Sequence, residues 1–180
     1  MWELNDPKPV KLIIGILAAD KTCLSIAIDE LIVTFGKADF VSNVLRFDQT
    51  SYYNAQMGEK ILRQFVCIHQ LIDPGQLATI KLKTNQLEEH LAREIDIDLP
   101  RPINLDPGFL EPSKLVLAST KNFSHRIYIG KKMYAEVTLL FDKGKWSPLP
   151  YTFPDYRQQC YFDFFDKVRN RLVEQLKSKL

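Results

Sequence analysis

Cysteine is scarce in this chain. Only Cys23, Cys67 and Cys160 occur, scattered and without a C-x-x-C spacing. That argues against a disulfide framework and against zinc held by cysteine pairs, and it fits the reduced, mostly buried thiols of a cytosolic protein. Three histidines with no His-x-His or H-E-x-x-H spacing give no histidine-rich metal site. An excess of one charge is missing too. Lys and Arg number 24 against 22 Asp and Glu, a net +2, so the basic bias of a nucleic-acid-binding domain is absent and a nucleic-acid partner is disfavoured. The longest apolar run, Leu12 to Ala19, falls far short of the roughly 20 residues that cross a bilayer. The opening MWELNDPKPV lacks the basic and apolar regions of a secretory signal. No membrane association is expected. There is no G-x-x-x-x-G-K-[ST], no G-x-G-x-x-G and no G-x-S-x-G, which disfavours P-loop, dinucleotide and nucleophile-elbow chemistry.

What remains is an ordinary globular composition, 46% hydrophobic over 180 residues, expected as a single domain spanning 1–180. A core occupies about 8–106, and a C-terminal extension of about 107–180 packs on it. Val10 to Ala18 reads as a doubly buried strand. A helix follows, with Asp20 or Thr22 as cap and Gly36 at its end. Phe40 to Phe47 and Phe65 to Ile72 read as strands. A second helix begins at Asp73-Pro74, with Gln76 three residues after the cap. Arg101 to Leu105 reads as a fourth strand, closed by the turn signal Asp106-Pro107-Gly108. The order β-α-β-β-α-β predicts an α+β fold with a ferredoxin-like core. Beyond it, His125 to Ile129 and Tyr134 to Phe141 predict a β-hairpin turning at Gly130-Lys131-Lys132, and a long helix is expected from about Tyr156 to the C-terminus.

Chemistry-bearing residues crowd between Asn104 and Arg157. Ser119, Thr120, Lys121, His125 and Arg126 offer hydroxyls, two cations and an imidazole, groups that bind anionic oxygens. The same loop can instead cap its own backbone. Strand alternation puts Arg126 and Tyr128 on one face of their strand, and Glu136 and Thr138 on one face of the next. Paired, they form either a solvated cross-strand ion pair or the floor of a ligand site. Asp106 and Glu136 are candidate bases or ligands of a divalent metal, with His125 as the best-placed histidine. Tyr156 and Arg157, at the start of the last helix, can reach the same site. Lys81, Asn85 and Glu88 share a flank of the second helix, which a solvated face explains well. No cofactor is specified by any motif, and no cysteine- or histidine-built metal site is expected.

The segments KPVKLIIGILAAD, SYYNAQMG, NLDPGFL, KLVLASTKNFSHRIYIG, YAEVTLLF and PYTFPDYR together resemble a bacterial family known as a domain of unknown function (DUF4416). The resemblance runs from about Lys8 to the last helix. It implies a bacterial, cytosolic, single-unit protein and carries no catalytic residue, cofactor or partner. From the polar cluster, the functional expectation is a cytosolic bacterial protein that binds a small phosphorylated or carboxylated ligand, with catalysis on that ligand left open. The alternative is a non-enzymatic interaction module presenting Tyr52, Tyr53, Trp146 and Tyr151 to a protein partner. The oligomeric state is open.

Overall fold

The computed structural model describes residues 3–178. Strand β1, Val10–Ala18, is buried at every position, as its unbroken apolar run requires. Asp20 caps helix α1, Lys21–Phe35, by accepting the Cys23 N–H at 2.8 Å. The strand expected at Phe40–Phe47 is broken into β2, Ala38–Val41, and β3, Leu45–Arg46. A loop and a short helix, α2 (Asn54–Met57), lead to β4, Leu62–Ile72. Asp73 then accepts the Gly75 N–H, and a 3-10 turn over Pro74–Gln76 opens α3, Leu77–Glu94.

The second half departs further from expectation. Strand β5 runs from Ile103 to Glu111, straight through Asp106-Pro107-Gly108, so the turn expected there is corrected. Strand β6, Lys114–Ser119, was not anticipated. The predicted hairpin forms from β7, Ile127–Gly130, and β8, Met133–Asp142. Gly130, Lys131 and Lys132 turn it with φ of 90°, 52° and 61°. Strand β9, Lys145–Pro148, precedes a proline-rich strap and a 3-10 turn, Pro154–Arg157. The last helix, α4, spans Gln159–Lys177 and starts three residues later than the sequence indicates.

The result is a mixed α+β architecture around one nine-stranded sheet among the described residues. The order is β2-β4-β1-β5-β6-β8-β7, with β3 also on β4 and β9 also on β8. All pairings are antiparallel. Alternation along β1 sends Leu12, Ile14 and Ile16 to one face, where they meet Leu24, Ala27 and Leu31 of α1 and Ile80 and Leu91 of α3. Ile13 faces the other way, into a cluster with Phe65, Tyr161, Phe165, Val168 and Leu172. Helices α1 and α3 thus cover one face of the sheet and α4 the other. Trp146 is buried there and donates to Asp166 at 2.9 Å, which removes it from the surface aromatics. No helix among the described residues is long and apolar enough to cross a membrane.

Candidate functional site

β5 pairs with β1 from Ile103 to Leu110 but with β6 only from Gly108 to Glu111. Past Leu117, β6 keeps only its other neighbour, β8, with Ala118 opposite Ala135 and Ser119 opposite Tyr134. The sheet therefore opens between β5 and β6. The exposed backbone edge must find other partners. Helix α3 supplies them. Glu88 Oε1 accepts the Leu105 N–H at 2.8 Å, and Lys81 Nζ donates to the Leu105 carbonyl at 2.8 Å. The two side chains lie two turns apart on one helix face. Both are buried, so the solvated face expected for them is corrected. Because Leu105 turns its backbone groups to this edge, alternation turns Pro107 the same way. Its missing N–H costs no bond with β1.

A cavity of about 910 Å³ fills the opening. Among the described residues its walls carry five cations (Arg63, Lys81, Arg101, Lys121, Arg126) and five carboxylates (Glu88, Glu89, Asp106, Glu136, Asp155). On the β5 wall, Asp106 Oδ2 accepts from Asn104 Nδ2 at 2.8 Å and lies 3.7 Å from Arg63 Nη1. Its Oδ1 is 3.8 Å from Lys81 Nζ. Arg101 donates to Glu88 Oε2 through Nε at 3.0 Å and to Asn104 Oδ1 at 2.5 Å. Burial raises the Glu88 carboxyl above its ordinary range against the pull of Lys81 and Arg101.

On the β8 wall, Arg126 Nε donates to Glu136 Oε2 at 2.8 Å. Arg126 Nη1 donates to Ser119 Oγ at 3.0 Å and to the Lys121 carbonyl at 2.9 Å. The cross-strand pair read from alternation is present and is buried rather than solvated. Glu136 also meets His125 Nε2 at 3.1 Å and Thr138 Oγ1 at 3.2 Å. Three donors occupy it, so it is no free base. At the mouth, Lys121 Nζ donates to the Tyr52 hydroxyl at 2.8 Å, and that bond holds the phenol below its ordinary range.

Of the residues singled out from sequence, Asp106, Ser119, Thr120, Lys121, Arg126, Glu136 and Tyr156 line the cavity. His125 stands off its wall, stacked on Tyr151 at 4.0 Å between ring centroids. Tyr128 is 59% exposed at the sheet's outer strand, and Thr138 is fully buried. Arg157 donates to the carbonyls of Leu149, Pro150 and Thr152 and braces the strap instead of reaching the site. Sequence reasoning missed Arg63, Arg101 and Asn104, explained Asp155 as a helix cap, and set Lys81, Asn85 and Glu88 aside as a solvated face. One signal was available for Arg63. It shares the alternation of Phe65 and Cys67, so a cation was due on a core face.

Arg63 donates to Asp155 Oδ2 at 2.8 Å from the floor of the cavity. Burial raises the Asp155 carboxyl although Arg63 pulls it down. No three His, Cys, Asp or Glu side chains among the described residues come together as a metal site needs. A divalent ion between Asp106 and Glu136 would find no third protein ligand of that kind.

The model of the family described as Domain of unknown function (DUF4416) matches residues 8–172. No curated protein and no solved structure matches the chain.

Proposed function

The chain belongs to the family Domain of unknown function (DUF4416), which supplies no chemistry, and we propose from the geometry that its cleft binds a small phosphorylated or carboxylated ligand. The observation that carries this reading is the cavity itself. A volume of about 910 Å³ lies within the range of small-molecule sites. Its walls are rich in guanidinium, ammonium and hydroxyl groups, which suit oxyanions. Lys121, which donates to the exposed Tyr52 hydroxyl at the mouth, is the cation that would exchange this neutral partner for a ligand oxyanion. Arg126 and Glu136 neutralise one another and give that wall a fixed shape. Asp106, whose Oδ1 stands 3.8 Å from Lys81, is the carboxylate best placed to accept a ligand hydroxyl.

A ferredoxin-like relationship for the first four long strands is part of the same proposal. The order β2-β4-β1-β5, antiparallel throughout, with α1 and α3 on one face, supports it. The interaction-module reading has less support, since Trp146 is buried and Tyr53 half-buried.

The test is thermal unfolding against sugar phosphates, small carboxylates, nucleotides and divalent metals. A ligand at about 100 times its Kd adds roughly 2.7 kcal/mol. The expected result is a raised midpoint with phosphorylated or carboxylated compounds that shrinks in Lys121→Ala. A flat response across the panel overturns the proposal.

A further inference from the structure

The innermost side chains of the cleft carry donors that the protein itself does not use. Arg63 is only 3% exposed. Its Nη2 is spent on Asp155, but Nε and Nη1 have no hydrogen-bond partner among the described residues. The nearest carboxylate oxygen to Nη1, on Asp106, is 3.7 Å away, beyond hydrogen-bond length. The Tyr156 hydroxyl is also buried without a partner. Both residues line the cavity. They converge over Gly15 of β1. A Cβ there would stand 2.8 Å from Arg63 Nη1 and 3.1 Å from the Tyr156 oxygen. The strand is bare where the two donors meet. Folded proteins rarely leave buried donors unmet, because desolvation is then uncompensated.

We propose that Arg63 Nη1 and the Tyr156 hydroxyl form an oxyanion seat at the inner end of the cleft, for a carboxylate or phosphate oxygen carried beside a hydroxyl. This rests on the reading of the cleft as a small-anion site, and it moves the anion from the mouth to the floor. Arg126 is a poor competitor, since three acceptors already occupy it. The neighbours define the rest of the ligand. Asp106 repels a bare anion at Nη1 but accepts from a hydroxyl next to it. Lys81, 3.8 Å from Asp106 Oδ1, offsets that carboxylate. The class is thus a small hydroxy acid or a phosphorylated hydroxy compound.

The experiment is titration calorimetry on the full chain with two pairs of probes. Glycerol 3-phosphate and inorganic phosphate form one pair, lactate and propionate the other. The arm that binds distinguishes phosphate from carboxylate. Tyr156→Phe removes a hydroxyl that makes no bond in the free protein, so its unfolding midpoint stays level or rises. Its Kd rises by about tenfold or more, as a lost bond to a charged group implies. Gly15→Ala sets a methyl 2.8 Å from Arg63 Nη1, displaces that guanidinium and weakens the same probe, with the unfolding midpoint read alongside to separate this from loss of the fold. Asp106→Asn lowers the preference for the hydroxylated member of the pair. Binding that Lys121→Ala weakens while Tyr156→Phe and Gly15→Ala leave it unchanged overturns the seat and spares the cleft reading. Failure of every probe to bind the unaltered protein overturns both.

Discussion

Gly108 sits at the last rung of the β5–β6 ladder, opposite Leu117. A Cβ on it would collide with the Val116 carbonyl and meet Leu117 Cδ2 at 2.6 Å. Gly130 has open space around the same position but a φ of 90°. The two glycines are needed for different reasons, one for room and one for conformation. Gly108→Ala is expected to destabilise by about 1–3 kcal/mol as an overpacked site, and Gly130→Ala by about 1 kcal/mol from backbone strain alone. Urea midpoints of the two variants check the ranking. The same residues show where local reading fails. Asp106-Pro107-Gly108 is a turn by composition. It remains a strand because Gly108 admits the neighbouring backbone and Pro107 faces an edge with no partner strand. Neither condition is visible without the partner. Arg126 and Glu136 were legible, since alternation within two adjacent strands is a local rule. For Arg63 the same rule gives its core-facing side but not its partners, since Asp106 and Asp155 come from distant segments.

At the scale of the element, α4 is the part most fully written in sequence. Helical spacing marks Tyr161, Phe164, Phe165, Val168, Leu172 and Leu176 as its apolar stripe, and all of these are buried except Leu176, which is half-buried. Phe165 lies among Phe65, Trp146, Tyr156 and Phe164. Phe165→Ala is expected to cost about 3–5 kcal/mol, read as a lowered denaturation midpoint. Helix α3 is the contrary case. Lys81 and Glu88 are polar residues on a helix and read as solvated, yet they serve the unpaired edge of β5. That edge exists because the β5–β6 ladder stops at the Gly108–Leu117 pair, and β6 belongs to a later part of the chain. Glu88→Ala leaves the Leu105 N–H unmet, at a cost of about 1–3 kcal/mol. Faster hydrogen exchange at the Leu105 amide separates this cause from a general loss of packing.

Across the whole molecule, the first strand and the last helix are clasped together. Lys11, fully buried, pairs with Asp39 and donates to the His69 carbonyl at 2.9 Å and to Gln175 Oε1 at 2.7 Å. Burial pushes the Asp39 carboxyl up, but hydrogen bonds from Lys11 and His69, with their charges, outweigh it and hold it below its ordinary 3.8. A carboxyl lowered by folding binds fewer protons in the folded chain than in the unfolded one. Its contribution is present above 3.8 and is lost as pH falls through the folded value. The urea midpoint is therefore expected to drop on acidification below about pH 3.8. Asp39→Asn should start lower at neutral pH and fall less steeply. An equally steep fall would assign the acid response to other carboxyls.

The opening between β5 and β6 has a mechanical consequence. The two strands are zipped only from Gly108 to Glu111. Continued in that register, the ladder would set Pro107 against Ala118 and Asp106 against Ser119 and bring the walls to the ordinary strand spacing of about 4.8 Å, too narrow for any guest. The Leu105 groups that would bond across are held back by Lys81 and Glu88. The open cleft and a longer β5–β6 ladder thus compete for the same few residues of backbone, with one face of α3 as the catch that keeps the jaws apart.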